Sequence, residues 1–429
     1  MDVYAADSCS WSATSPQSWI SVTGSGAGTG ALMYTVAANT SALSRSGQIV
    51  VGNQTVNINQ AGTGQPFCNV PNGNDDVPDD GDLQCLLNNG GVITLDADVN
   101  PGYFIATGLK LSNSDSAHGL KLTSTSTALP GLNWAPFWAT SDLKAPILEV
   151  DSTASYYTIE NIWFYGNRLN RVCVQKDTVP PERKTTENTN LVLRGHDFTV
   201  QNVEVDMAVC ASGASVVGAN YHILNSWFAN NGFPDGTIGQ GTEPWADGLT
   251  VLNCDSGEIR GNHFVDNTDI DLITANSIDC NVQDNHIDHY FTYGFAGLMV
   301  SLFEEGGGKH GGTTYSGNII SSAVNQLSFG IMIGFHPWKV EWNMDDVGTV
   351  RDNIVSGAVV NLQIEADSSG QAVGEVTVNT LFGAQGNKGY KSGGCSISTN
   401  YAVYHSGGIL HDVGSSNLQF DSTTGCILY

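Results

Sequence analysis

Eight short β-type runs in this chain carry an asparagine at or near one end, and their spacing limits the possible folds more than any other feature. The asparagines are Asn161, Asn202, Asn225, Asn262, Asn285, Asn318, Asn353 and Asn379. They are separated by 41, 23, 37, 23, 33, 35 and 26 residues, and the shortest spacing matches one coil of a parallel β-solenoid. Asparagine tolerates the left-handed backbone of a sharp corner, and its amide can bond the same residue one coil away. We therefore predict stacked coils that share one core.

An apolar residue lies two positions after seven of these asparagines, and this predicts a side chain that points into the shared core. The seven residues are Trp163, Trp227, Phe264, Ile287, Ile320, Val355 and Leu381. The exception is Asn202, where Glu204 holds that place. Since Trp163 and Trp227 share this column, we expect them to stack in the core rather than to bind a ligand.

The charge of the chain argues against several classes of partner. It has 16 Lys and Arg against 42 Asp and Glu, a formal net charge of −26, so we expect neither nucleic acid nor an anionic membrane as partner. No run of about twenty apolar residues is present to form a transmembrane helix. The first residues lack the basic start and apolar stretch of a signal peptide, so Met1 of an exported protein would be an added start. With only 14% charged residues and abundant Ser, Thr, Asn and Gly, the composition is typical of secreted, extracellular β proteins.

Nine cysteines are too few to be the main stabiliser of 429 residues, and the sequence has no CxxC motif to suggest zinc or redox chemistry. Cys254 and Cys280 are 26 residues apart and can lie above one another on adjacent coils. Sequence alone does not give the connectivity of the possible pairs, and a buried free thiol is the alternative for each cysteine. The candidate pairs are Cys68 with Cys85, Cys173 with Cys210, Cys254 with Cys280, and Cys395 with Cys426.

Residues 1–62 are predicted to form a small β-sandwich with strands near 17–22, 31–37, 47–52 and 54–60. The segment closely resembles a BACON domain. The matching features are Cys9 and Trp11, Trp19-Ile20, the GTG before an alternating strand, Val36-Ala37-Ala38-Asn39, Arg45-Ser46-Gly47 and Gln60-Ala61-Gly62. The resemblance implies an immunoglobulin-like module of the kind attached to extracellular glycan-active proteins, where it binds carbohydrate or acts as a spacer. Trp11 and Trp19 are expected to fill the core of the sandwich, with sugar stacking as the alternative.

Residues 63–429 are predicted to form the solenoid. A linker rich in Pro, Gly and Asp leads to an amphipathic helix near 82–88, which would bury Leu83, Leu86 and Leu87 and close the open end of the coils. This opening resembles the N-terminal cap of pectate-lyase-like proteins. The expected fold is therefore all-β: a right-handed parallel β-helix with a small N-terminal immunoglobulin-like sandwich.

The linker carries an acidic cluster of Asp75, Asp76, Asp79, Asp80 and Asp82. Calcium prefers oxygen ligands, so a structural calcium ion is one interpretation, although the cluster does not match the EF-hand pattern. A solvated acidic linker is the other interpretation. No cofactor is expected to be required.

Carboxylates gather at the start of neighbouring predicted strands. Aligned by their apolar cores, DGLTV and DIDLIT place Asp247 on one coil and Asp269 and Asp271 on the next, with Tyr293 on a third. Residues one coil apart converge because coils stack about 4.8 Å apart. Glycoside hydrolysis needs such a pair, with one carboxyl held protonated and the other ionised. The alternative is that these residues cap turns.

The segments WADGLTV and NTDIDLIT are similar to polygalacturonase-type β-helix hydrolases, which place an Asp-Gly strand start one coil before an Asp-Asp strand start. The resemblance spans about thirty residues and implies that Asp247 and Asp269 are catalytic, with Asp271 assisting. The adjacent Asp pair is interrupted here by Ile270, and neither a Gly-His-Gly nor an Arg-Ile-Lys motif follows. Galacturonan itself is therefore not the implied substrate.

Long insertions near these strands supply further candidates, because solenoid insertions tend to map onto one face. Glu243 and Glu304 are alternative catalytic carboxylates. Exposed tryptophans beside carboxylates suit a sugar groove. The predicted substrate-binding residues are Trp245, Tyr293, Lys309, His310, His336, Trp338 and Arg194. Arg194 belongs to a basic stretch, 168–194, that is interpreted either as a solvated loop or as a subsite for an acidic sugar.

These features predict a secreted hydrolase that cleaves a polysaccharide. A lyase acting on a uronic-acid polymer is the second hypothesis, with its base among His289, Tyr290, Tyr293, Lys309, His310 and Lys339. The third is a non-catalytic glycan-binding or spike-like solenoid. An unsaturated, ultraviolet-absorbing product would distinguish a lyase from a hydrolase, and binding without new reducing ends would indicate the third.

Overall fold

A computed structural model shows a small antiparallel module followed by a long parallel solenoid. It describes residues 1–41, 45–60, 62, 68–100, 102–112, 119–125, 134–173, 189–233, 245–301, 310–323, 326–334, 348–365, 375–377, 379–382 and 399–404. The strands of the module are Asp2–Val3, Ser10–Thr14, Ile20–Thr23, Ser25–Ala27, Gly30–Ala31, Met33–Val36, Arg45–Val51 and Gln54–Gln60.

The module encloses its own core of Ala13, Ile20, Leu32 and Ile49, against which Trp11 and Trp19 pack. The indole N–H of Trp11 donates to the carbonyl of Gly28 at 2.8 Å. Both tryptophans are thus partly buried by the sandwich, as the sequence predicted.

The helix Asp80–Asn89 lies between the module and the coils and buries Leu83 and Leu87, with Leu86 packed beside the core. It begins two residues before and ends one residue after the predicted helix. The Asp80 carboxylate in its first turn accepts bonds from the amides of Ala106, Thr107 and Gly108, in the turn before a strand. Among the described residues, no helix is long and apolar enough to cross a membrane.

The coils form three parallel sheets, which we call A, B and C, and each coil visits them in the order A, B, C. The strands of sheet A are Val92–Leu95, Lys121–Ser124, Thr158–Glu160, Thr199–Gln201, His222–Leu224, Glu258–Arg260, Asn281–Gln283, Thr314–Ser316, Thr349–Arg351 and Glu375–Thr377. Those of sheet B are Tyr103–Ile105, Ala135–Ala139, Ile162–Tyr165, Glu204–Asp206, Trp227–Ala229, His263–Val265, His286–His289, Ile319–Ser322, Ile354–Ser356 and Thr380–Phe382. Those of sheet C are Leu109–Leu111, Leu148–Val150, Leu191–His196, Ala211–Ala219, Ala246–Asp255, Ile270–Ala275, Gly294–Ser301, Leu327–Ile333, Val360–Glu365 and Thr399–Tyr404, with the short Ser277–Ile278 alongside. The fold is the predicted right-handed parallel β-helix.

Five of the eight asparagines form a buried ladder at the corner between sheets A and B. They are Asn262, Asn285, Asn318, Asn353 and Asn379. In each of the first four, the backbone N–H and the side-chain amide both donate to the side-chain oxygen of the next asparagine, at 2.9–3.1 Å. The ladder satisfies buried polar groups at a corner where the sheet hydrogen bonds stop.

The other three asparagines lie one position earlier in the corner. Asn161, Asn202 and Asn225 have φ values of 58°, 51° and 48°, in the left-handed region that asparagine tolerates. A one-residue shift moves every side chain of the following strand to the other face. The prediction that Trp163 and Trp227 lie in the core is therefore wrong: both are half-buried on the outside of sheet B.

Three of the predicted disulfides are present: Cys68–Cys85, Cys173–Cys210 and Cys254–Cys280. Cys395 and Cys426 lie outside the described residues. Cys254 and Cys280 are both fully buried and join adjacent coils, as their spacing of 26 residues predicted.

Candidate functional site

The candidate site lies at the corner where the chain passes from sheet B to sheet C. Three successive coils meet there, carrying Trp245 and Asp247, then Asp269 and Asp271, then Tyr293. The amide of Asp269 donates to the carbonyl of Ala246 at 3.2 Å, and the amide of Phe295 donates to the carbonyl of Asp269. These contacts confirm that residues on different coils converge at this corner.

Asp247 is half-buried at the start of its strand, and both of its carboxyl oxygens accept hydrogen bonds. The Thr250 hydroxyl donates to one oxygen at 2.6 Å, and the amide of Ile270 on the next coil donates to the other at 3.3 Å. Thr250 also shares a 2.6 Å hydrogen bond with Ser212, which is in register with Asp247 on the preceding coil. The carboxyl orientation is thus fixed by groups from three coils.

Burial raises the pKa of Asp247 well above its usual value, and the negative charge of Asp269 raises it further. Asp271 adds a smaller increase, while the bonds from Thr250 and Ile270 oppose these effects. Two neighbouring carboxylates repel each other when both are ionised, so this pair favours the protonated form of Asp247. The side chain of Asp269 is also half-buried.

An apolar patch on the outside of sheet C contributes to the burial of the Asp247 carboxyl. Its buried members, Ile270, Ile273, Ala296, Met299, Phe329, Met332, Val359 and Val360, form a cluster separate from the interior core. Because Ile270 lies beside Asp247, one side of the carboxyl has no water to solvate its charged form.

Asp271, which was predicted to assist the carboxyl pair, is fully buried and so cannot touch a substrate. One of its oxygens contacts His289 Nε2 at 2.6 Å, and the other accepts a 2.9 Å bond from the Asn267 side chain. Burial alone would lower the pKa of His289, but Asp271, the Thr292 carbonyl and Asp266 outweigh it and raise it to about 9. Asp271 and His289 therefore form a buried ion pair beneath the site.

Gly248, the residue after Asp247, packs so closely against Asp271 and Asn267 that a side chain would not fit. A Cβ added at Gly248 would lie 2.5 Å from the carbonyl of Asp271 and 2.8 Å from the Asn267 amide nitrogen. The Asp-Gly dipeptide thus combines a carboxyl at the corner with close packing of the backbone against the next coil.

Asp266 shapes the turn that follows on the next coil. One of its oxygens accepts hydrogen bonds from the amides of Tyr290, Phe291 and Thr292, at 2.9–3.1 Å. The turn presents Phe291, which is 86% exposed, and Tyr290, which is 50% exposed. Exposed aromatic rings held by a fixed turn are suited to stacking on a sugar.

Two predicted binding residues lie at this corner. Trp245 is 56% exposed and precedes Asp247 by two residues. Tyr293 is half-buried, and its hydroxyl bonds that of Ser328. Trp245 thus lies on the coil of Asp247, and Tyr293 lies one coil after Asp269.

His310 and Arg194 lie elsewhere; full burial excludes the substrate contact predicted for His310, and the contact predicted for Arg194 stays a prediction. His310 is fully buried, with ring nitrogens 2.9 Å from the Ser301 carbonyl and 3.0 Å from the Tyr315 hydroxyl. Arg194 pairs with Glu149 at 2.7 Å, two strands from Asp247 and about 16 Å further along the strand direction.

Five further candidates, Glu243, Glu304, Lys309, His336 and Trp338, lie outside the described residues. The described part of the chain contains no cluster of three His, Cys, Asp or Glu residues that could hold a metal ion. In the acidic linker, Asp79 and Asp80 accept hydrogen bonds from backbone amides, so their positions have a structural reason without calcium.

Sequence reasoning missed Thr250, Ser212 and Asp266, and it considered His289 only as a base. Thr250 was detectable in principle, because it follows Asp247 by three residues on one strand. The ion pair of Asp271 with His289 joins residues 18 apart through the corner geometry, for which the sequence has no local signal.

Comparisons with known proteins concern the module and the fold. Residues 10–61 match the BACON family model, described as a putative binding domain, N-terminal. A search of curated proteins finds no match. Among solved structures, the chain is similar to a mannuronan C-5 epimerase A-module from Azotobacter vinelandii, with 14% identity, TM-score 0.46, and 82% of this chain and 96% of that chain covered.

It is also similar to an endo-xylogalacturonan hydrolase from Aspergillus tubingensis, with 11% identity, TM-score 0.46, and 82% and 100% of the two chains covered. A third similar structure is the Dettilon tailspike protein, with 12% identity, TM-score 0.41 and 71% of this chain covered. The match spans about half of the tailspike, 52% of its length. At these identities the likeness extends to the fold alone.

Proposed function

We propose that this protein is a secreted glycoside hydrolase that cleaves a polysaccharide, with Asp247 as general acid and Asp269 as the ionised partner. The observation that carries the proposal is the raised pKa of Asp247, a half-buried carboxyl whose charged neighbour comes from the next coil. A glycosidic oxygen must be protonated as it leaves, and a carboxyl with a raised pKa can supply that proton.

Asp269 stabilises or attacks the positive charge that develops on the sugar ring, or activates water for that attack. Trp245 on one side and the Tyr290–Phe291 turn on the other offer apolar rings for the sugar faces. The net charge of −26 favours a neutral polymer over one rich in uronic acids. The disulfides support an oxidising, extracellular location.

The test is turnover of a panel of neutral and acidic polysaccharides, with new reducing ends and unsaturated products measured together. Asp247→Asn and Asp269→Asn should each lower kcat by about 10²- to 10⁴-fold, because each removes a proton donor or acceptor. Asp255→Asn is the matched control, since Asp255 is exposed at the far end of the same strand. Wild-type turnover in either Asp247→Asn or Asp269→Asn would refute the assignment.

A polysaccharide lyase is the second candidate, and the position of Tyr293 favours it. Its hydroxyl lies at the same corner one coil after Asp269, and elimination needs such a base beside a uronate. Unsaturated, ultraviolet-absorbing products that disappear in Tyr293→Phe would select the lyase over the hydrolase. Glycan binding without new reducing ends or unsaturated products would indicate a non-catalytic role.

A further inference from the structure

The outer face of sheet B carries a second group of aromatic and carboxyl side chains, around the corner from Asp247. Strand register places Trp163, Glu204 and Trp227 in one row across three adjacent coils. Trp138, Tyr165 and Asp206 form the neighbouring row. None of these residues is needed for the interior core, which the alternating residues of the same strands fill.

The rings form a connected surface. Trp138 and Tyr165 lie 4.3 Å apart between ring centroids and are inclined by 36°, while Trp163 meets them edge-on at 5.8 and 5.5 Å. The Trp163 indole N–H donates to Asp206 at 2.9 Å. The aromatic rings and carboxyls are therefore fixed relative to each other before any ligand arrives.

One buried polar group on this face lacks a partner in the described part of the chain. The indole N–H of Trp138 is buried and makes no hydrogen bond. Glu204 is half-buried and lies between Trp163 and Trp227 in the same row. Buried polar groups in native proteins are nearly always satisfied, so the unpaired donor beside this carboxyl indicates a missing ligand.

The available bonding groups define the ligand. Burial and the neighbouring Glu204 raise the pKa of Asp206 to about 8, so near neutral pH it is largely a neutral acid and can donate. The face thus offers two donors, Asp206 and Trp138, one acceptor, Glu204, and several apolar rings. A sugar hydroxyl both donates and accepts, and a sugar ring stacks on indole. A cation would leave the Trp138 donor unused, and an anion would be repelled by Glu204.

We propose that the outer face of sheet B, centred on Glu204 between Trp163 and Trp227, is a second saccharide-binding site for a neutral sugar segment. It is separate from the carboxyl pair of sheet C, and it does not depend on the hydrolase assignment. Trp227 lies on the same coil as Asp247, so a long glycan can pass from one face to the other around the corner.

The test uses the full chain bearing Asp247→Asn, in which the proposed function expects turnover to be about 10²- to 10⁴-fold slower. Calorimetric titration with cellohexaose, xylohexaose, mannohexaose and an α-1,3-linked glucohexaose should detect binding of at least one. Trp227→Ala should weaken that binding about tenfold, since it removes one stacking ring. Glu204→Gln keeps the shape and exchanges a charged acceptor for a neutral one, and should weaken it severalfold.

Ile354→Ala is the matched control, because Ile354 is exposed on the same row of sheet B, well away from Glu204, and its loss should leave the affinity unchanged. The proposal is overturned if no neutral hexasaccharide binds, if Trp227→Ala and Glu204→Gln both bind like the parent, or if hexagalacturonate binds more tightly than every neutral probe. Hydrolysis by Trp227→Ala with Asp247 intact is measured separately, so a failure here leaves the catalytic proposal to its own test.

Discussion

Replacing His289 by glutamine removes the cation of the buried ion pair beneath the candidate site. His289 and Asp271 are both fully buried, and their charged atoms lie 2.6 Å apart. Glutamine can still donate a hydrogen bond, so the variant isolates the loss of charge. Leaving a buried carboxylate without its cation typically costs about 3–5 kcal/mol.

The same pair gives the protein a pH-dependent stability of defined sign. The pKa of His289 is raised from 6.5 to about 9, because Asp271 and Asp266 outweigh the opposing effect of burial. Because His289 binds its proton more tightly in the folded state than in the unfolded state, the proton stabilises the fold. This stabilisation is fully present below pH 6.5 and is lost as pH rises through 9. At about 1.4 kcal/mol per pKa unit, it amounts to roughly 3 kcal/mol.

The assay is urea unfolding of wild type and His289→Gln at pH 6, 7.5 and 9. Wild type should lose stability across this range, and the variant should be less stable at pH 6 and much less dependent on pH. His222→Gln is the control: its pair with Glu258 at 3.0 Å is largely exposed, so its loss should cost less than about 1 kcal/mol. If wild type and His289→Gln show the same pH dependence, the reasoning about the buried pair is wrong.

Three further predictions follow from the site, the ladder and the disulfides. Trp245→Ala should raise KM about tenfold with kcat nearly unchanged, because an exposed ring that stacks on sugar binds ground state and transition state alike; steady-state kinetics would contradict this if kcat alone fell. Asn285→Ala should lower the free energy of unfolding by about 2–4 kcal/mol, since it leaves buried amides of the ladder unpaired, whereas the exposed Asn281→Ala on the same coil should change it little in urea unfolding. Changing Cys254 and Cys280 together to serine should lower stability by about 3 kcal/mol through the freed 26-residue loop, and a melting temperature unchanged from wild type would contradict that.

The repeat architecture was predictable because coil spacing and the asparagine corners are local sequence signals. The exact register was not, since asparagine serves two adjacent corner positions. Asn225 takes the left-handed position, whereas Asn262 takes the ladder position. Ser226 fills the ladder position one coil earlier, and its backbone N–H donates to the side-chain oxygen of Asn262. A spacing argument alone cannot separate these roles, and the tryptophans of two coils were consequently placed on the wrong face.

The carboxyl pair was predictable for a similar reason: Asp247 and Asp269 each begin a strand whose apolar residues can be aligned. Their environments were not predictable. Whether a carboxylate at such a position faces solvent or the interior depends on the corner path, and Asp271, two residues after Asp269, faces inward to His289. The second group on sheet B was missed because Glu204 and Trp227 meet only through coil stacking, 23 residues apart.

The pH dependence of kcat/KM in wild type and Thr250→Val tests most directly whether Asp247 is a protonated acid supported by neighbouring coils. The Thr250 hydroxyl favours the ionised form of Asp247, so its removal should raise the pKa of Asp247 and move the alkaline limb upward by about one pH unit. Ser215 is in register with Thr250 on the preceding coil of sheet C, and Ser215→Ala should leave the alkaline limb in place. An alkaline limb that does not move in Thr250→Val would contradict the account.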